Sequence, residues 1–154
     1  MSYLLLKWVH IVSATVLFGA GIGTAFHMWA AYRSADPRVM AQAARSTVSA
    51  DWWFTTTAGI VQPVSGFALI WLSDRDPFSG WLVLSYVLFL LAFACWLPVV
   101  FLQLRIRDEM AEAHEIPASV HRWMRIWFAL GWPAFIALLG VFYLMVAKPA
   151  LWSG

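Results

Sequence analysis

WLVLSYVLFLLAFACWLPVVFL, residues 81–102, runs through 22 consecutive positions without a charged side chain. A helix rises about 1.5 Å per residue and the hydrocarbon core of a bilayer is about 30 Å thick, so about 20 apolar residues suffice to cross it. This run is long enough. Three more stretches free of Lys, Arg, Asp and Glu lie on either side of it, at residues 8–32, 52–72 and 126–147. None alternates apolar and polar positions like a barrel strand, and backbone groups in lipid must be paired within the segment, which leaves helices. The fold class follows: all-α, an integral membrane four-helix bundle forming one transmembrane domain over residues 1–154, with spans near 4–32, 52–72, 81–104 and 123–147.

Composition leaves room for little else. The 154 residues are 62% hydrophobic and 12% charged, enough for four spans and short connections but not for a separate soluble domain. Nine of the eleven Trp residues (Trp8, Trp29, Trp52, Trp53, Trp71, Trp81, Trp123, Trp127 and Trp152) crowd toward span ends, where an amphipathic ring prefers the headgroup level. They read as bilayer anchors. Cys95, the sole cysteine, has no intrachain disulfide partner and reads as a small apolar packing residue. The first apolar run follows Lys7 like a secretory leader, but it continues to Tyr32, well beyond the usual 7–15 residues or so, and is expected to be retained as a helix.

Basic residues are unevenly shared between the two sides. Arg33, Arg38, Arg45, Arg105, Arg107, Arg122 and Arg125 border one side; Lys7, Arg75 and Lys148 border the other. The positive-inside tendency predicts cytoplasmic Arg-rich connections and both termini on the outer, periplasmic side of a bacterial inner membrane. The net charge of +2 is topological, and no continuous basic stripe speaks for nucleic acid.

The connections are short. Asp36-Pro37 introduces residues 39–50, expected as an interfacial helix, with Asp51 capping the second span. Gln62-Pro63 falls near mid-depth of that span and predicts a local backbone distortion. Residues 73–80 form an outer turn, and the third helix is expected to extend through Arg107, Asp108, Glu109 and Glu112 to Pro117.

His10 is the leading candidate for chemistry, because ionisable groups inside a membrane are costly unless partnered. With each span centred, it lies about 10 Å from the midplane, level with Ser85 and Tyr143, while Ser13 shares its helix face and leads inward toward Gln62. Two readings stay open. One is a neutral imidazole tying helices together through a hydroxyl or carbonyl. The other is a haem ligand in an aromatic setting, which makes His10, Ser13, Ser85 and Tyr143 the candidate cofactor residues and His10 the iron ligand. His27 lies about 25 Å further along the same helix, so within one chain such a haem has a single axial ligand or takes a Met such as Met145. His27, His114 and His121 gather at the Arg-rich border in no strong zinc spacing and read as solvated. Thr55, Thr56, Thr57, Gln62 and Ser65 are polar enough to line a path, but helical hydroxyls usually bond back to carbonyls, and no acidic residue is read as buried. No nucleophile with a positioned base, no phosphate-cradling loop and no paired carboxylates are found.

Leu6-Lys7-Trp8-Val9-His10, followed by Phe18-Gly19-Ala20-Gly21-Ile22-Gly23-Thr24-Ala25-Phe26-His27-Met28-Trp29, closely resembles a group of predicted bacterial integral membrane proteins, domain of unknown function 2269, over the whole chain. More distantly, the chain is similar to the four-helix protoporphyrinogen oxidase family and its copper-resistance-type relatives. That likeness rests on the early Lys-x-x-His, Gly80-Trp81-Leu82, His121-Arg122-Trp123 and Val146-Ala147-Lys148-Pro149. The oxidase resemblance implies b-type haem and a functional pair made of a histidine in helix one and a lysine in helix three. His10 matches the first; the lysine position falls at or near Ser85, which is not basic.

Three functions are therefore expected in order: haem b or tetrapyrrole binding with a redox role; a cofactor-free accessory or scaffold protein that packs on a membrane partner or on itself through small residues such as Gly19 and Gly23; and an oxidoreductase acting on a porphyrinogen or a quinone.

Overall fold

A computed structural model describes residues 2–151, all helix and short connection. Four helical rods dominate. They comprise α1 (Ser2–Arg33), a second rod made of α2 (Pro37–Ala50), a π-helical turn (Asp51–Thr56) and α3 (Thr57–Leu72), then α4 (Gly80–Met110) and α5 (Ala118–Ala147). All four are long and apolar enough to cross a membrane. At 30 to 36 residues, each exceeds the roughly 20 that a bilayer core requires.

The surplus length builds a second layer at the Arg-rich end. There α2 buries Met40, Ala43, Ala44, Thr47 and Val48, a spacing of three and four that puts one stripe of its surface inward, while Arg38, Gln42 and Arg45 face out. The stripe joins Met28 and Ala31 of α1, Leu102, Ile106 and Met110 of α4, and Val120, Met124 and Trp127 of α5 in one continuous core. Four of the six methionines are here, where an unbranched thioether fits irregular gaps between helices. Toward the other end, α1 packs along α3, and α4 along α5. Phe18 of α1 joins the pairs by stacking on Phe135 and meeting Phe142 edge-on, with ring centroids 5.0 and 5.2 Å away.

Several expectations change. Residues 39–50 do not form a separate interfacial helix: α2 runs without a break through the π turn into α3, because no glycine or proline interrupts residues 38–58. The cap of that rod is Asp36, whose Oδ1 accepts from the backbone N–H of Arg38 at 2.8 Å with Pro37 filling the first turn. Asp51 caps nothing. It has helical backbone angles inside the rod, and its side chain is buried. The departure from α geometry lies at residues 51–56, not at Gln62-Pro63, and α3 carries Pro63 in its interior. α4 ends at Met110, short of Glu112. Five of the Trp residues read as anchors (Trp8, Trp29, Trp52, Trp53 and Trp71) are exposed, Trp123 is half-buried, and Trp152 lies outside the described residues. Trp81 and Trp127, by contrast, are buried packing residues; the cations of Arg75 and Lys148 lie 5.8 and 5.9 Å from the Trp81 ring.

Candidate functional site

His10 sits on α1 facing α3, where Gln62, Ser65 and Gly66 share one face by their spacing of three and four. Its Nδ1 lies 2.8 Å from Ser65 Oγ and its Nε2 lies 3.2 Å from the Gln62 amide nitrogen. An amide nitrogen only donates, so Nε2 carries a lone pair and Nδ1 carries the proton of a neutral imidazole. A directed chain results. The Ser13 hydroxyl, shared between the His10 carbonyl and Gln62 Oε1, leads to the Gln62 N–H, which donates to His10 Nε2. His10 Nδ1–H then donates to Ser65, whose hydroxyl donates to the Val61 carbonyl 2.6 Å away. Ring and helix also touch directly: a Cβ on Gly66 would stand 3.3 Å from His10 Cε1. Glycine is what lets the imidazole lie against α3.

Ser13 thus joins His10 through Gln62. Ser85 is buried elsewhere, donating to the Trp81 carbonyl at 2.6 Å within α4, and Tyr143 is exposed on α5 at 66% of its surface. Met145 packs with Trp81, Leu82 and Leu144. Ser65 and Gly66 are partners that sequence reasoning did not attach to His10. The available signal was their common face with Gln62, opposite the one histidine deep in α1.

The imidazole of His10 is held from both sides of its ring. Both ring nitrogens are bonded to α3, and the cavity beside Gln62, lined by Leu17, Phe18, Phe89 and Phe142 among others, holds about 30 Å³. His10 acts here as a cross-brace between two helices.

The other histidines take local partners or none. His27 Nε2 lies 3.0 Å from Ser46 Oγ, joining α1 to α2, and His121 Nδ1 lies 2.6 Å from the Tyr32 hydroxyl, joining α5 to α1. His114 is exposed in the α4–α5 connection. Among the described residues, no three His, Cys, Asp or Glu side chains converge to hold a metal ion. The hydroxyls of Thr56, Thr57 and Ser65 bond to carbonyls of their own rod, whereas Thr55 bonds to the Asp51 carboxylate.

Four long apolar rods with exposed aromatic rings at their flanks define a multi-pass helical membrane protein. The chain belongs to the family described as predicted integral membrane protein (DUF2269), which it matches over residues 4–149. No curated protein and no solved structure matches it.

Proposed function

We propose that the protein is a cofactor-free accessory or scaffold component of its membrane, and that it associates with a second copy of itself through α1. The reading is supported by one contrast among the glycines. Gly66 and Gly140 have a neighbouring side chain within 3.3 Å of where a Cβ would stand, so the bundle's own packing accounts for their smallness. Gly19, Gly21 and Gly23 on α1, like Gly131 on α5, have no neighbour within 4 Å, and Gly19 and Gly23 stand four residues apart. That small-residue pair opens toward the surroundings of the bundle, and the spacing is the one that lets two membrane helices approach closely. A face presented identically by every copy is self-complementary about a two-fold axis.

In this reading the Arg-rich end faces the cytoplasm of a bacterial inner membrane, following the positive-inside tendency. His10 braces α1 against α3 so that its opposite face is held firm. The oxidase-like alternative gains nothing from Ser85, which bonds within α4 where that family has a lysine.

Energy transfer between donor-labelled and acceptor-labelled copies in liposomes tests the proposal. Wild type should exceed the transfer expected from random proximity at the same surface density, and Gly19→Ile with Gly23→Ile should reduce it to that level. Random-level transfer in wild type, or an undiminished signal in the folded double variant, would overturn it.

A further inference from the structure

Between α1 and α5 at the Arg-rich end, the Tyr32 hydroxyl and His121 Nδ1 lie 2.6 Å apart, and the two rings meet edge-on with centroids 5.4 Å apart. The seam between the helices is fixed at this point. α1 ends here and α5 begins here, so the two run in opposite directions, and seen from this end their successive residues turn in opposite senses. At about 100° per residue, Trp29 and Arg33 of α1 then fall on the same side of the bridge as Arg122 and Arg125 of α5. Met28 and Met124 fall on the other side, in the core. All four residues of the outer side are exposed.

Depth brings them together as well. Along its helix, Trp29 lies about 4.5 Å from the bridge toward the middle of the membrane, and Arg125 about 6 Å. Arg33 reaches back to that level, its Cζ 5.7 Å from the centroid of the Trp29 ring. An exposed Trp marks the headgroup region, so these guanidiniums stand where lipid phosphates lie. Further in, the ring of Phe26, 65% exposed, lies 6.0 Å from that of Trp29 and continues the face as apolar surface. Neither helix contains an Asp or a Glu. Arg107 with Asp108 is the one ion pair among the described residues, so Arg33, Arg122 and Arg125 share this face without a carboxylate partner.

We propose that the outer face of the α1–α5 seam holds one anionic phospholipid of the leaflet at the Arg-rich end. Its phosphate accepts from the guanidiniums of Arg33 and Arg125, whose planar forks match phosphate oxygens, with Arg122 at the rim and an acyl chain along Phe26. Basic faces between membrane helices are a known setting for anionic headgroups. A zwitterionic lipid brings its own cation to a face whose helices have no acidic side chain to receive it. A soluble anion leaves the apolar continuation at Phe26 unused.

Electron spin resonance of the protein in phosphatidylcholine bilayers, with a trace of spin-labelled phosphatidylglycerol or spin-labelled phosphatidylcholine, tests this. Wild type should immobilise the anionic label in preference to the zwitterionic one by about fivefold or more, the effect of a single arginine near the surface. Arg33→Gln with Arg125→Gln should remove most of that preference. Arg38→Gln with Arg45→Gln takes the same charge from exposed positions of α2 and should leave most of it. If the first pair does not fold, Arg125→Gln carries the comparison alone. Equal immobilisation of the two labels by wild type would overturn the site. So would equal losses in the two folded pairs, since the preference would then belong to the charge of the whole end. Full displacement of the anionic label by free glycerol phosphate would overturn it too, because the occupant would then be a soluble anion.

Discussion

At the scale of the residue, His10 is explained by what surrounds it. An imidazole in a membrane helix needs partners for both nitrogens, and Gln62 and Ser65 supply them from one face of α3. That such a residue required partners was legible from the sequence; which ones was not, because depth along a helix can be counted but rotation about its axis cannot. Ser85 and Tyr143 are polar and near the right depth, yet they point elsewhere. Glycine substitutions separate a fixed neighbour from a yielding one. At Gly140 a Cβ would come within 2.9 Å of Leu88 Cδ1, a tighter approach than the 3.3 Å at Gly66, but the end of a leucine can rotate away while a doubly bonded imidazole cannot. Gly66→Ala should therefore cost about 1 kcal/mol net, and Gly140→Ala should be near neutral, its helix gain of roughly 0.5–1 kcal/mol offsetting the movement of Leu88. Denaturant unfolding in detergent would read the order, and a larger loss at Gly140 would contradict it.

At the scale of the element, the second rod carries the chief disagreement between sequence and structure. Asp51 immediately precedes an apolar run and so resembles a helix cap, whereas Asp36 with Pro37 is the stronger start signal. Taking Asp36 as the start leaves no breaker before Gly59, and the amphipathic stripe of α2 then becomes a core face instead of an interfacial one. The carboxylate of Asp51 is carried inside by that continuity. Asp36→Ala should cost about 0.5–2 kcal/mol, since the Arg38 N–H loses its partner. Unfolding of the variant measures it, and a wild-type midpoint would show that the cap is not the start of this rod.

At the scale of the whole molecule, length and charge were enough to read four membrane-crossing helices, because uncharged runs of 20 residues have few other homes. The core layer at the Arg-rich end was not legible. Its residues are spread over α1, α2, α4 and α5 with no local signal that they meet, and the apolar runs of the rods pass into it without a change of composition. Substitutions should sort by layer. Ile106→Ala, in the fully buried core, should cost about 2–5 kcal/mol, while Val146→Ala, 85% exposed on α5, should change stability little by the same unfolding assay. Equal effects would mean that the core layer is not what holds this end together. We propose a self-associating bundle braced by His10 without a tetrapyrrole, and native mass spectrometry of the protein released gently from haem-supplemented membranes tests both parts of that proposal together. The proposal predicts an assembly of twice 17.4 kDa with no tetrapyrrole mass; single chains carrying a tetrapyrrole that His10→Ala removes would contradict it.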